Sequence, residues 1–152
     1  MKKIYCDASF DWNSTNTNGE NVVRGKIAIV DDSSHERIEK IAIGKVEGLK
    51  QYNNVFELIA IARAIELANE DKDKADSLAI YTDSQVAMYW ARAGRIKNAS
   101  VLTEAHKNTL EYLNRERIKF GGKITFNFIP RDKNLAGKLL EIELKREPPH
   151  TV

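Results

Sequence analysis

Three acidic residues stand at the edges of three separate apolar segments. Asp7 closes the strand-like run Lys2-Lys3-Ile4-Tyr5-Cys6, and Asp83 closes Leu78-Ala79-Ile80-Tyr81-Thr82. Glu57 lies just inside a third segment, Asn54 to Ala68, where Leu58, Ile61, Ala62, Ile65 and Ala68 recur at helical spacing. An acid at a strand end is costly to bury unless it is paired or binds a cation. Three such acids from distant segments predict one carboxylate cluster. Hard divalent cations prefer oxygen ligands of this kind, and two-metal sites drive in-line phosphoryl displacement. Asp7, Glu57 and Asp83 are therefore the candidate metal ligands and catalytic groups.

The elements that must position them follow from periodicity and turn residues. Asp11 to Asn21 is turn chemistry and reads as a long loop. Strands are predicted near 22–30 and 38–44, then a helix from about Asn53 to Asn69. A charged turn, Glu70 to Asp76, leads to a strand at 78–82. A short helix from about Ser84 to Ala93 breaks at Gly94. A longer one covers about Val101 to Lys119, with Leu102, Ala105, Leu110 and Leu113 inside and Gly121-Gly122 ending it. A last strand, Lys123–Ile129, stops at Pro130, and a final helix spans about Asn134 to Lys145. The order βββαβααβα predicts a mixed sheet whose first three strands form a meander. Tyr5 and Asp7 share a strand face, as do Tyr81 and Asp83. Parallel pairing of those strands sets the aspartates side by side at the carboxyl ends, where ligands bind in open α/β sheets.

Composition bounds the rest. A length of 152 residues is one domain, long enough to bury roughly two-thirds of its unfolded surface. We divide it into a folded region, 1–145, and a tail, 146–152. Hydrophobic content of 42% and charged content of 30% are those of an ordinary globular protein. No apolar run approaches a membrane span, and Met1-Lys2-Lys3 leads straight into a strand without a signal-peptide pattern. The single cysteine, Cys6, excludes an internal disulfide, reads as a small buried hydrophobe, and fits a reducing compartment such as the cytoplasm. The net charge of +2 does not advertise nucleic-acid binding by itself. Local basic groups matter more: Arg92, Arg95 and Lys97, and Arg115, Arg117, Lys119 and Lys123. Each is either a binding patch or a solvated face.

The segments Tyr5-Cys6-Asp7-Ala8-Ser9, Asn53-Asn54-Val55-Phe56-Glu57-Leu58 and Tyr81-Thr82-Asp83-Ser84-Gln85 resemble the three core motifs of ribonuclease H, in the family's order and at about its spacing. The resemblance runs from Met1 to about Glu143. It implies an α/β, ribonuclease H-like fold: a five-stranded mixed sheet flanked by helices. It implies an endonuclease that cuts the RNA strand of RNA–DNA hybrids, with two Mg²⁺ or Mn²⁺ ions on the matching acids. It also places Asn53, Asn54, Ser84 and Gln85 around the hybrid's minor groove. Amides donate and accept at once and suit 2′-hydroxyls, which distinguish RNA from DNA. A plainer role stands beside this one: Asn53 or Asn54 as cap of its helix, and Ser84 as cap of the next. Trp90 is either a lining of the DNA-strand channel or a core aromatic. Lys97-Asn98 lies where the family often has a Lys or Asn near substrate.

The chain departs from the family pattern at several places. The family's Asn-x-x-Ala-Asp becomes Asn134-Leu135-Ala136-Gly137-Lys138, so a lysine takes the fourth acid's position. Glu141, one helical turn on, is the nearest replacement and a fourth catalytic and metal-ligand candidate; Glu143 and Asp132 are others. The loop Pro130-Arg131-Asp132-Lys133 has no His; Arg131 resembles the Arg of the family's short-loop branch. Arg131 and Asn134 join the substrate-binding candidates. His35, His106 and His150 read as surface residues. Gly94 to Ser100 leaves no room for a basic protrusion, and Tyr52 stands where the family's phosphate pocket often has Thr. The expected protein is a monomer that binds hybrid and no membrane. Two rivals remain: a nucleic-acid-binding domain that has lost catalysis, which Lys138 motivates, and another nuclease on this fold.

Overall fold

The computed structural model describes residues 1–11, 21–46, 49, 52–97 and 102–146. The predicted loop at 12–20, Asn98, Ser100, the start of a helix at Val101, and His150 with the tail from 147 lie outside these residues. The described strands are β1 (Lys2–Phe10), β2 (Val22–Asp31), β3 (Glu36–Gly44), β4 (Ser77–Thr82) and β5 (Lys123–Phe128). The helices are α1 (Asn53–Glu70), α2 (Gln85–Ala93), α3 (Glu104–Phe120) and α4 (Leu135–Arg146). They form one sheet in the order β3-β2-β1-β4-β5. β1, β2 and β3 pair antiparallel; β1–β4 and β4–β5 pair parallel, with Tyr5 opposite Tyr81 and Cys6 opposite Thr82. The five-stranded mixed sheet and its element order are those the sequence predicts.

β4 is short and its Leu78, Ala79 and Ile80 are all buried, as a central parallel strand covered on both faces requires. α1 is buried over most of its circumference, from Val55 to Ala68. A helix apolar all round belongs inside a protein, and α1 is packed between the sheet and α3. α4 covers the opposite face, where Ala136 and Leu140 meet Ala28 and Val30. Among the described residues, no helix is long and apolar enough to cross a membrane.

Several boundaries differ from the sequence reading. β1 does not end at Asp7: its ladder with β2 continues to Phe10 opposite Gly25, after the ladder with β4 has ended at Cys6. Neither Asn53 nor Asn54 caps α1. Tyr52 takes that place without a side-chain bond, and its carbonyl accepts the first helical bond from Phe56 N–H. Ser84 does cap α2, accepting from Ala87 N–H at 3.1 Å. α3 starts at a Thr103–His106 capping box. That box corrects the surface reading of His106, which is buried, with its ring edge-on to Trp90 at 5.4 Å. Trp90 is half-buried against the main core, in keeping with a core aromatic.

Gly25 is required where β2 passes the end of β1. A Cβ there would collide with the Ser9 carbonyl oxygen and crowd Phe10 Cα and the Phe56 ring. Backbone cannot yield as a side-chain tip does, so Gly25→Ala should part the two strands. Overpacking of this kind costs about 1–3 kcal/mol, a fall in melting temperature of roughly 2–12 °C at this chain length. A thermal melt at wild-type temperature would show that the ladder has slack here.

Candidate active site

Asp7 lies where β1 has lost its β4 neighbour, and Asp83 is the first residue past β4. The stacked pair Tyr5–Tyr81, ring centroids 5.1 Å apart, is one step back along the same face. α1 delivers Glu57 from the other side of the sheet. Its Oε1 accepts from Ala8 N–H at 3.3 Å, and its Oε2 is buried without a hydrogen-bond partner. One carboxylate oxygen from each of Asp7, Glu57 and Asp83 lies within 4.8 Å of the others. The three acids that the sequence singles out are thus brought together over the carboxyl ends of the parallel strands.

Their electrostatics are strained. Burial, then the Asp83 charge, raises Asp7 from the ordinary 3.8 to about 6. Burial, then the Asp7 charge, pushes Glu57 well above the usual carboxylate range. Two ionised carboxyls have no proton to offer each other, so close approach favours retaining one. A divalent cation relieves the same repulsion and supplies the orphaned Glu57 Oε2 with a partner. The donor set is all oxygen, as Mg²⁺ or Mn²⁺ prefers.

The acids open into a cleft of about 530 Å³, also lined by Asn53, Asn54, Ser84 and Arg131, and by Gly137, Leu140, Glu141, Leu144 and Lys145 of α4. Ser84 Oγ donates to Asn54 Oδ1 at 3.4 Å, tying the start of α1 to the start of α2. Gln85, the first residue of α2, is exposed beside the cleft rather than lining it. Arg131 lies on a short 3-10 turn, Arg131–Lys133, close enough to draw the Asp7 pKa down. Gly137 of α4 lies against Asp7: a Cβ there would stand 3.2 Å from Asp7 Oδ2, a tight contact that a small shift of the carboxylate would relieve.

Three expectations need correction or refinement. Asn134 cannot reach substrate, because it is fully buried. Its Nδ2 donates to the Cys6 carbonyl at 2.9 Å and to Asp83 Oδ2 at 3.3 Å, and its Oδ1 accepts from Ala136 N–H. It therefore locks β1, Asp83 and α4 together. Tyr52 is also fully buried, its hydroxyl bonded to the Val46 backbone, so it offers nothing to a phosphate. Glu141 shares the cleft but not the tight three-acid group; its Oε1 lies 3.5 Å from Lys145 Nζ. Lys138 is exposed and outside the cleft lining. Glu143 lies 3.9 Å from Lys26, and Asp132 is exposed on the turn. The roles of Asn134 and Gly137 had one visible signal, their nearness in sequence to the departure at Lys138.

The sequence profile of the RNase H family matches residues 2–137. No curated protein matches the chain. Solved structures do: RNase H1 from the halophilic archaeon Halobacterium salinarum, at 17% identity and TM-score 0.59, covers 96% of this chain and 98% of its own. The amino-terminal RNase H domain of rv2228c from Mycobacterium tuberculosis, solved as a maltose-binding-protein fusion, is 17% identical with TM-score 0.58, covering 95% and 96%. LC11-RNase H1, solved in complex with an RNA/DNA hybrid, is 21% identical with TM-score 0.59, covering 91% and 93%. With the profile spanning most of its length and the same fold repeated by these structures, the chain belongs to the ribonuclease H family and is an enzyme of that family.

Proposed function

We propose that this protein is a divalent-metal-dependent endonuclease that hydrolyses the RNA strand of RNA–DNA hybrids. The observation that carries the proposal is the buried Asp7–Glu57–Asp83 group with its unpartnered Glu57 oxygen. The hybrid held by LC11-RNase H1, a protein of the same fold, supports the substrate class. Mg²⁺ or Mn²⁺, two ions per site, would supply an activated water and charge for the leaving oxygen. Asp7, Glu57 and Asp83 would hold them. Ala8 N–H and Asn134 keep Glu57 and Asp83 aimed at that point. Asn53, Asn54, Ser84 and Gln85 offer the minor groove donors and acceptors matched to 2′-hydroxyls. Since α1 lacks a side-chain cap, Asn53 and Asn54 are not spent on the helix end. Arg131 offers a guanidinium to a phosphate near Asp7.

The decisive assay is a cleavage gel with hybrid, duplex RNA and duplex DNA, each with Mg²⁺, Mn²⁺ or EDTA. Hybrid should be cut in either metal, EDTA should stop the reaction, and duplex DNA should survive. Equal cutting of hybrid and duplex DNA would replace this proposal with a general nuclease. Binding without cutting in any metal would replace it with a binding domain.

Glu141 is proposed as an outer contributor to the metal site, reached when its carboxylate leaves Lys145. Glu141→Gln should lower the rate or weaken metal dependence by roughly tenfold without stopping cleavage. Lys138→Asp, one residue past the Asp7-facing Gly137, should tighten metal binding. A metal titration of both variants that overlays the wild type would remove α4 from the metal site.

A further inference from the structure

We infer that a phosphate-binding pocket lies at the outer edge of the sheet and takes a backbone phosphodiester of the bound hybrid; the identity of that ligand rests on the hybrid reading above. β5 is an edge strand. Beside it is a pocket of about 300 Å³ into which Arg92 of α2 and Arg117 of α3 converge, together with Thr125 and Asn127 of β5. The two arginines come from the two basic groups that the sequence keeps apart. Arg92 Nε donates to the Phe126 carbonyl at 2.9 Å, and Arg117 Nη1 to the Ala91 carbonyl at 3.0 Å. Arg117 also lies over the Phe126 ring, 5.3 Å from its centroid. These bonds fix both heads yet leave most of their N–H groups unused. Neither has a carboxylate partner among the described residues. Phe126 turns its carbonyl to the open edge, and in a strand the N–H of the same residue points that way too.

Two fixed guanidiniums without a counter-ion repel each other, and a bridging anion removes that cost. Guanidinium forks match phosphate oxygens two by two. Thr82, next to Asp83, pairs with Phe128, so Phe126 is two residues back along the neighbouring strand. Strand rise and spacing put the pocket on the order of 10 Å from Asp83. That is about three base-pair steps of roughly 3.4 Å along a duplex axis, within the span of a hybrid bound at the acids.

The test is fluorescence anisotropy of labelled RNA–DNA hybrid in EDTA, so that nothing is cut, over a salt titration. Arg92→Gln and Arg117→Gln should each weaken binding several-fold and reduce the slope of log K against log salt by about one. Thr125→Glu keeps both arginine bonds to backbone, gives the Asn127 amide a carboxylate in place of the Thr125 hydroxyl it donates to, and adds a negative charge at the pocket; it should give the same loss with the fold intact by circular dichroism. Arg92→Lys should retain the slope. Unaltered affinity and slope in the Gln and Glu variants overturn the backbone-phosphate assignment and leave hybrid cleavage standing. A wild type that does not bind hybrid overturns both. Arg92 and Arg117 Nε–H NMR signals of the wild type that shift with inorganic phosphate, while the variants lose no hybrid affinity, would overturn the backbone assignment in favour of free phosphate.

Discussion

Asp7→Asn should lower hybrid cleavage by roughly a thousandfold or more while the metal-free protein melts at a higher temperature. Both effects come from one charge. Asp7 is central to the group: Glu57 and Asp83 both act on its ionisation, and Gly137 of α4 lies against it. Removing its charge weakens the hold on the cations, and charge stabilisation of about 4 kcal/mol is roughly a thousandfold in rate. The same substitution relieves the repulsion that burial magnifies. An Asn amide also has a proton to donate toward the buried Glu57 Oε2, which has no partner in the wild type. Satisfying such an oxygen is worth about 1–2 kcal/mol, or roughly 2–8 °C in melting temperature at this size. Glu57→Gln and Asp83→Asn should be as inactive, with folds intact by circular dichroism. A near wild-type rate in any of the three at saturating Mg²⁺ would break the three-acid core.

The three acids were legible because each is anchored by a periodic segment: an alternating strand, a continuous apolar strand and a helix. Tyr5 with Asp7 and Tyr81 with Asp83 share faces, which sets the aspartates side by side only if β1 and β4 pair in parallel; the ladder and the stacked rings have that pairing. What the sequence hid depends on neighbours far along the chain. Asn134 read as a substrate contact because its partners, Cys6 and Asp83, lie 128 and 51 residues away. His106 read as a surface residue because its burial depends on Trp90 and on an approach of α2 to α3 that no local pattern encodes. Asn53 and Asn54 looked like caps by residue type. The chain enters α1 one residue earlier, at a tyrosine whose hydroxyl is committed to Val46. The meeting of Arg92 with Arg117 beside the edge strand β5 depends on α3 bonding back to α2 across 26 residues of sequence.

The stability of the metal-free protein should fall as pH rises above about 5, and Mg²⁺ should abolish that fall. Asp7 binds its proton more tightly when folded, at about 6, than at its ordinary 3.8, because of burial and then the Asp83 charge. Glu57 moves the same way, from burial and then Asp7. A carboxyl raised by folding contributes stability that is complete below its unfolded value and is lost as pH climbs through its folded value. For Asp7 the window is therefore about pH 4 to about pH 6, and Glu57 extends it upward. At 1.36 kcal/mol per unit, Asp7 alone accounts for on the order of 3 kcal/mol. Other acids act in the opposite sense. Asp31 is lowered despite the opposing effect of burial, by the His35 and Ser33 backbone N–H groups, the His35 ring and Lys2. Glu39 is lowered foremost by Arg63, so both contribute stability that is lost as pH falls through their folded values. Without metal, stability should peak near pH 5 and decline on both sides. Divalent cations bind the ionised carboxyls, so binding releases protons and strengthens with pH. Millimolar Mg²⁺ stabilises the folded state by mass action in the range where the metal-free protein weakens. Melting curves across pH 4 to 8, in EDTA and in Mg²⁺, should diverge above about pH 6. If the two profiles stayed parallel, the raised carboxyls would not be where the metal binds.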